Sequence, residues 1–184
     1  MKKITVKDVM VPVSEYATVS KEATLYDAVL ALEKAQKEFD QTRYRHRAIL
    51  IYDEKKKIVG KVSQLDILRA LEPKYEQIGV SRPTAPYPFT QKFMQSLFQK
   101  FNLWDKPLDA ICMKASQKRV KDFMHSPGEG ECVEEETSLN EAIHQLVFGH
   151  HQSLLVMRRN DIIGILRLTD VFKEVSNTVK ACEH

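Results

Sequence analysis

The sequence predicts an α/β (α+β) fold in which one unit, strand-helix-strand-strand-helix, occurs twice in tandem. Three observations predict it: a long internal repeat, two helix starts with the same capping pattern, and two pairs of short apolar runs joined by polar turns. The 184 residues are 43% hydrophobic and 29% charged, which is ordinary for a globular protein and sufficient for a buried core.

The internal repeat begins with VKDVM at residues 6–10, which returns as VKDFM at residues 120–124. The register holds over the 27 positions 6–32, where ten residues are identical to their partners 114 positions later. Copy one then carries nine extra residues within 33–47, after which the register resumes. Ten identities far exceed chance, so we interpret the pattern as a duplication.

Each unit is predicted to begin with a short strand, at 17–20 in repeat one and at 132–134 in repeat two. A helix follows, because Thr24 and Ser138 each precede apolar residues at the spacing i, i+3, i+4, i+7 and have an acid three residues on. Two apolar runs joined by a polar turn then predict a hairpin in each copy. The hairpin strands are predicted at 48–52 and 58–63 and at 153–157 and 162–167, and the last helices at 65–71 and 168–175.

Composition excludes several classes of protein. Lys and Arg number 28 and Asp and Glu number 25, and this net charge of +3 is too weak to indicate nucleic-acid binding. The absence of an apolar run of about 18 residues argues against a membrane span, so we expect a cytoplasmic protein. Three widely separated cysteines predict reduced thiols, and the histidines lack the carboxylates of a metal site, so no metal is predicted. Catalytic motifs are also absent, and we predict that the protein is not an enzyme.

The repeat resembles a known family. The Val-x-Asp-x-Met openings, the capped first helices and the motif Gly-x-Val-Ser-x-x-Asp-Ile at 60–67, with its partner Gly-x-Leu-Arg-x-x-Asp-Val at 164–171, are similar to a cystathionine-beta-synthase (CBS) domain pair, also called a Bateman module. The resemblance implies a pseudo-twofold pair with two clefts between the repeats. It also implies regulation through an adenosine-containing ligand (AMP, ADP, ATP or S-adenosylmethionine), no chemistry of its own and assembly as a homodimer.

The resemblance also implies site residues. Asp66 and Asp170 are expected to accept ribose hydroxyls, and Ser63 to contact phosphate beside a helix N-terminus. The remaining ligand-binding residues are predicted at the strands and helix starts around the two clefts: Thr18, Arg47, Ala48, Val62, Ser153, Leu166, Arg167 and Thr169.

Several of these residues have a second interpretation. The two aspartates are also suited to helix capping, and Gly60 and Gly164 let either a flat ligand or another backbone approach the strand closely. Arg167 stands where the family usually has Ser or Thr. It either binds phosphate with both nitrogens or fills its cleft and pairs with Asp170.

Two segments are particular to this chain. The nine extra residues of repeat one are expected to lengthen its first helix and the exit loop, whose basic end, Arg43-Tyr44-Arg45-His46-Arg47, either is solvated or reaches phosphates in the cleft.

We place repeat one at 1–72, a linker with an amphipathic helix at 73–119, and repeat two with a C-terminal helix at 120–184. The linker starts irregularly at Pro83, Pro86 and Pro88. Its apolar stripe, from Phe89 to Trp104, is too rich in apolar residues to face water. We predict that it packs against the chain's own repeats, against a second copy of the chain in a dimer, or against a partner protein.

The leading hypothesis is therefore a stand-alone sensor that binds an adenosine-containing ligand between its repeats. The alternative is a ligand-free interaction scaffold that acts through the linker helix.

Overall fold

The computed structural model describes residues 3–78 and 90–181. Repeat one runs through β2 (Thr18–Ser20), α2 (Leu25–Glu38), β3 (Ala48–Tyr52), β4 (Ile58–Ser63) and α3 (Gln64–Leu71). Repeat two follows the same order as β5 (Cys132–Glu134), α7 (Leu139–Phe148), β6 (Ser153–Arg158), β7 (Asp161–Arg167) and α8 (Leu168–Ala181). A short helix, α1 (Val6–Val9), and a short strand, β1 (Val11–Pro12), precede repeat one, and α4 (Lys74–Gln77), α5 (Gln91–Lys100) and α6 (Leu108–Ser116) lie between the repeats. The predicted tandem α+β fold is confirmed.

The predicted helix starts are N-caps in the structure. The Thr24 and Ser138 hydroxyls accept hydrogen bonds from the backbone N–H groups of Asp27 and Glu141, and each acid bonds back to its cap residue. Such a reciprocal pair satisfies two backbone donors that a helix otherwise leaves free. Both first helices therefore begin where the capping pattern predicts.

Each repeat forms its own sheet. In repeat one, β2 pairs in parallel with β3, and β3 pairs antiparallel with β4. In repeat two, β5 pairs in parallel with β6, and β6 pairs antiparallel with β7. Leu50 and Leu155, which hold equivalent places in the two repeats, share one buried cluster with Val11 and Ile165. The two sheets therefore pack around a pseudo-twofold axis.

The two repeats exchange their opening segments. Val6 is fully buried in the core of repeat two, where its N–H donates to the carbonyl of Thr137. Val120 is fully buried in the core of repeat one, where its N–H donates to the carbonyl of Ala23. β1 also adds to the edge of β7, which gives repeat two a fourth strand that the sequence did not predict.

The paired glycines mark the places where these exchanged segments cross. A Cβ on Gly60 would lie 2.6 Å from the carbonyl oxygen of His125, and one on Gly164 would lie 2.7 Å from that of Val11. His125 and Val11 are themselves equivalent positions of the repeat. Of the two interpretations of the glycines, the close approach of another backbone is therefore the one that the structure supports.

The extra residues of repeat one lengthen both the helix and the loop, as predicted. α2 has 14 residues where α7 has 10. The loop after α2 runs from 39 to 47, whereas the loop after α7 runs only from 149 to 152. We call residues 39–47 the insert.

The segment between the repeats holds more structure than the single helix predicted. Leu103 is buried, the N–H of Trp104 donates to the Glu72 carboxylate, and its indole N–H donates to the Tyr75 hydroxyl. Helix α6 packs through Ala115 against repeat one. By contrast, Met94 and Phe98 of α5 are about half exposed, so part of the predicted apolar stripe remains accessible to solvent. The predicted prolines and Phe89 lie outside the described residues.

No helix within residues 3–78 and 90–181 has the length and apolar character needed to cross a membrane.

Candidate functional site

A cleft of about 400 Å³ lies between the two repeats at the start of α3. One wall comes from repeat one, where β4 ends and α3 begins, and contains Lys61, Ser63 and Asp66. The other wall comes from repeat two and contains Gln152 and Ser153 at the start of β6. We call this the open cleft. It is the first of the two clefts that the resemblance implies.

Ser63 and Asp66 stand in the open cleft because they cap α3. The Asp66 Oδ2 atom accepts hydrogen bonds from the Ser63 N–H at 2.8 Å and from the Ser63 hydroxyl at 2.6 Å, and the Asp66 N–H donates to Ser63 Oγ at 3.2 Å. The second oxygen, Oδ1, forms an ion pair with Arg69 at 3.7 Å and has no other partner among the described residues. The capping role and a ligand role are therefore compatible, since they use different oxygens of one carboxylate.

The open cleft is predominantly basic. Its lining has two carboxylates, Asp66 and Glu131, and a larger set of cations: Arg45, Arg47, Lys61, Arg69 and Arg167. Among the described residues, the exposed side chains of Arg45 and Arg47 have no ion pair or hydrogen bond. Such free guanidinium groups favour an anionic ligand, above all phosphate.

A polar network at the far wall of the cleft was not predicted from the sequence. Lys61 Nζ lies 3.4 Å from Ser153 Oγ and 3.7 Å from Glu131 Oε1. Glu131 Oε2 lies 2.6 Å from His125 Nε2 and accepts the Gly128 N–H at 3.0 Å. Burial acts to raise the pKa of Glu131, but these hydrogen bonds outweigh it and hold the pKa below its usual value. Lys61 was within reach of prediction, because period-two alternation puts it on the same face of β4 as Ser63.

In repeat two, the equivalent carboxylate, that of Asp170, is covered by protein. Arg167 Nη2 donates to Asp170 Oδ1 at 2.7 Å, Arg167 Nε donates to Asp170 Oδ2, and both side chains are buried. Arg43 of the insert adds a contact of 3.4 Å to the same Oδ1. Of the two interpretations of Arg167, pairing with Asp170 is therefore the one that the structure supports.

The insert also contacts the Arg167 guanidinium group directly. Arg167 Nη1 donates to the carbonyl of Tyr44 at 2.7 Å and lies 3.3 Å from His46 Nδ1. The His46 ring lies between those of Tyr16 and Phe39, with centroids 4.1 and 4.2 Å away. Burial, and then the charge of Arg167, lower the pKa of His46 to about 4. The histidine is therefore neutral at pH 7.

The remaining predicted site residues divide into two groups. Arg47, Ser153 and Thr169 line the open cleft together with Ser63, Asp66 and Arg167. Ala48, Val62 and Leu166 are buried strand residues, and Thr18 lies partly buried in β2; none of these four side chains lines the open cleft. In the part of the chain that the structure describes, no group of three His, Cys, Asp or Glu residues is arranged to hold a metal ion.

Comparison with known proteins agrees with the architecture. A model of the CBS domain matches the chain twice, over residues 6–73 and 120–177. These two segments are the two repeats. A search of curated protein sequences found no match.

Solved structures show a similar fold. CBSX2 in complex with AMP is 22% identical, with a TM-score of 0.59 over 94% of this chain and 97% of that chain. The CBS domain of the bacterial CNNM/CorC family Mg2+ transporter in complex with ATP is 18% identical, with a TM-score of 0.58 over 94% and 87%. A CBS domain-containing protein of unknown function from Bacillus anthracis is 17% identical, with a TM-score of 0.59 over 95% and 94%. At these identities the likeness concerns the fold.

Proposed function

Because the chain belongs to the CBS domain family, we propose that it is a regulatory module without catalytic activity that binds an adenosine-containing ligand in the open cleft. The observation that carries the proposal is the pair Ser63 and Asp66 at the start of α3, in a basic cleft between the repeats. Two similar structures support the ligand class, since one holds AMP and the other ATP.

Each part of such a ligand has a partner in the cleft. Asp66 Oδ1, which the helix cap leaves available, accepts the ribose hydroxyls. The phosphates lie toward the N-terminus of α3 and the Ser63 hydroxyl, where free N–H groups favour negative charge. Arg45 and Arg47 supply further positive charge at the mouth of the cleft. The adenine ring lies against Gln152 and Ser153, where repeat two enters β6.

Substitution of Asp66 tests this proposal. Loss of a charged hydrogen-bond partner costs about 1.5 to 3 kcal/mol, so we expect Asp66→Asn and Asp66→Ala to weaken binding of AMP or ATP roughly tenfold or more. S-adenosylmethionine is the third ligand to measure. Titration calorimetry gives the affinity in each case.

A matched control separates ligand binding from helix capping. Asp27 makes the same reciprocal capping contact with Thr24 at the start of α2, but it lies outside the open cleft. Asp27→Asn should therefore lower the melting temperature and leave nucleotide affinity unchanged. Equal loss of affinity in both variants, or no binding of any of the three ligands, would contradict the proposal.

The second candidate function is an interaction scaffold. It is favoured by the apolar side chains that α5 exposes: Met94 and Phe98 are 52% and 49% exposed. A ligand of the folded state raises the melting temperature by mass action. A thermal shift with AMP or ATP therefore supports the sensor, and no shift with any nucleotide supports the scaffold.

A further inference from the structure

The two ligand positions of the pair differ in one respect that the duplication does not explain. Asp66 faces the open cleft, whereas the Asp170 carboxylate is covered by Arg167 and by Arg43 of the insert. We propose that the insert is a built-in occupant of the cleft at Asp170, so that each chain holds one adenosine-containing ligand, at Asp66. The part of this inference that concerns stoichiometry rests on the proposed function.

The first observation is that the Asp170 carboxylate is fully engaged. Its two oxygens accept hydrogen bonds from Nε and Nη2 of Arg167, and Oδ1 also contacts Arg43 Nη2. Asp170 is 6% exposed and Arg167 is 5% exposed. A ribose at this place would have to displace two guanidinium groups from a buried carboxylate. The Arg167 guanidinium would then be left in a buried environment without its carboxylate, which is costly.

The second observation is that the insert positions this arrangement. The Tyr44 carbonyl accepts a hydrogen bond from Arg167, and the ring of Phe39 lies 5.4 Å from the Arg167 guanidinium carbon and 5.2 Å from that of Arg43. Flat guanidinium groups bind aromatic faces well. The insert thus places an aromatic ring and a cation against the Arg167–Asp170 pair.

The third observation is that repeat two does not cover the Asp66 carboxylate in the way that the insert and Arg167 cover that of Asp170. Its loop at 149–152 is shorter, and the residue before α3 is Ser63 where α8 is preceded by Arg167. Asp66 therefore retains an oxygen without a guanidinium hydrogen bond. The asymmetry follows from one insertion and one side-chain difference.

A measurement without any ligand tests the contact itself. In a double-mutant cycle on the melting temperature of the full chain, Arg43→Ala and Asp170→Asn should be non-additive, because each removes the same contact. Arg45→Ala is the matched control. It lies in the same insert but faces the open cleft, so its effect should add to that of Asp170→Asn. Additivity for Arg43 as well would overturn the inference.

Titration calorimetry with ATP and AMP tests the stoichiometry. We expect one nucleotide per chain in the unaltered protein. The double variant Arg43→Ala/Arg167→Ser, which gives position two the serine of position one, should bind a second nucleotide. Two nucleotides per chain in the unaltered protein, or no second site in a correctly folded double variant, would overturn the inference. If no nucleotide binds at all, the proposed function fails, and the double-mutant cycle alone decides whether the insert occupies the cleft.

Discussion

The residue that precedes the last helix gives the two repeats different chemistry. Ser63 is small and caps α3, so the carboxylate of Asp66 keeps one oxygen for other partners. Arg167 at the same place reaches the following carboxylate with two donors and buries it. A bidentate guanidinium pair of this kind is strong when both partners are out of solvent. One substitution in a duplicated motif thus changes an acceptor site into an internal ion pair.

His46 is expected to make the free energy of unfolding depend on pH. Its pKa is about 4 in the folded chain, mainly because of burial, and near 6.5 when the chain is unfolded. Between these values the unfolded state binds more protons than the folded state, so the free energy of unfolding falls as pH falls from about 6.5 to about 4. His46→Asn cannot titrate. We expect it to flatten this part of the pH profile of the free energy of unfolding, measured by urea denaturation.

The charged groups that face His46 are Arg167, Arg43 and Asp170, and they remain in the variant. His144, an exposed histidine on α7, is the control, since His144→Asn should keep the profile of the unaltered protein. If the free energy of unfolding of His46→Asn falls as steeply with pH as that of the unaltered protein, the buried histidine is not the cause of the pH dependence.

Prediction of single residues succeeded where the determinants are local. Ser63 and Asp66 follow from a spacing of three residues and from the family resemblance, and the structure places both in the open cleft. The role of Arg167 was left between two alternatives, because the residues that decide it, Arg43 and Tyr44, are more than 120 positions away. The same holds for Glu131, whose partner Lys61 is 70 positions away. No local pattern identifies such long-range partners.

Among the elements, the insert contacts both ligand positions at once. Arg43 and His46 lie against Arg167 and Asp170, whereas Arg45 and Arg47 line the open cleft. The basic end of the insert was predicted either to be solvated or to reach phosphates in the cleft, and its contacts with Arg167 and Asp170 were not predicted. The capping patterns and hairpins, by contrast, gave element bounds within a few residues except in α8, which continues to Ala181. These patterns depend on residues that are close along the chain and can therefore be recognised in a single sequence.

The basic side of the insert is expected to bind the phosphate chain of the ligand. Arg45 and Arg47 have no carboxylate partner among the described residues, so they are free to bind a phosphate chain. We expect Arg45→Ala/Arg47→Ala to weaken ATP binding roughly a hundredfold or more and AMP binding less, since charged hydrogen bonds contribute about 1.5 to 3 kcal/mol each and the outer phosphates are absent from AMP. Titration calorimetry at two salt concentrations measures both effects.

The control for this pair removes the same charge elsewhere. Lys34 and Lys37 are exposed on α2 and lie outside the open cleft. Lys34→Ala/Lys37→Ala should change neither affinity. An equal loss for ATP and AMP in the arginine variant would show that the two arginines do not select for the outer phosphates.

At the scale of the whole molecule, the exchange of opening segments makes each repeat depend on the other. Val6 and Val11 come from the N-terminal segment and are fully buried against repeat two, and Val120 is fully buried in repeat one. The duplication itself was evident from the sequence. The exchange was not, because identical openings in the two copies fit either core equally well. We therefore expect the two repeats, whose cores are interlocked, to unfold as one cooperative unit.

A fragment tests this interdependence. Residues 120–184 alone lack Val6, Val11 and the strand that covers the edge of β7. A chain of about 60 residues buries only a modest share of its surface, so loss of two core side chains leaves it marginal. We expect no cooperative thermal transition by circular dichroism. Fusion of residues 3–16 through a flexible linker should restore one. A fragment as stable as the full chain would show that the repeats are independent.

Exposed apolar side chains lead to the last prediction, that two chains associate as a homodimer. Phe172, Val175 and Val179 follow helical spacing along α8 and are 63%, 38% and 57% exposed, and α5 exposes a second stripe. Exposed apolar side chains in a row favour association with another surface. The resemblance of the repeats to CBS domains also implies a homodimer, so we expect light scattering at micromolar concentration to give twice the chain mass of 21.2 kDa.

Variants of the two stripes decide which one holds the dimer together. Phe172→Glu/Val179→Glu places charge on the apolar face of α8, and Phe93→Glu/Phe98→Glu does the same on α5. The variant that disrupts the interface should be a folded monomer, because a buried carboxylate without a partner opposes association. Asn177→Glu, an exposed polar position on α8, is the control and should remain dimeric. A mass of 21.2 kDa for the unaltered protein would exclude the dimer at that concentration and leave both stripes available for a different partner.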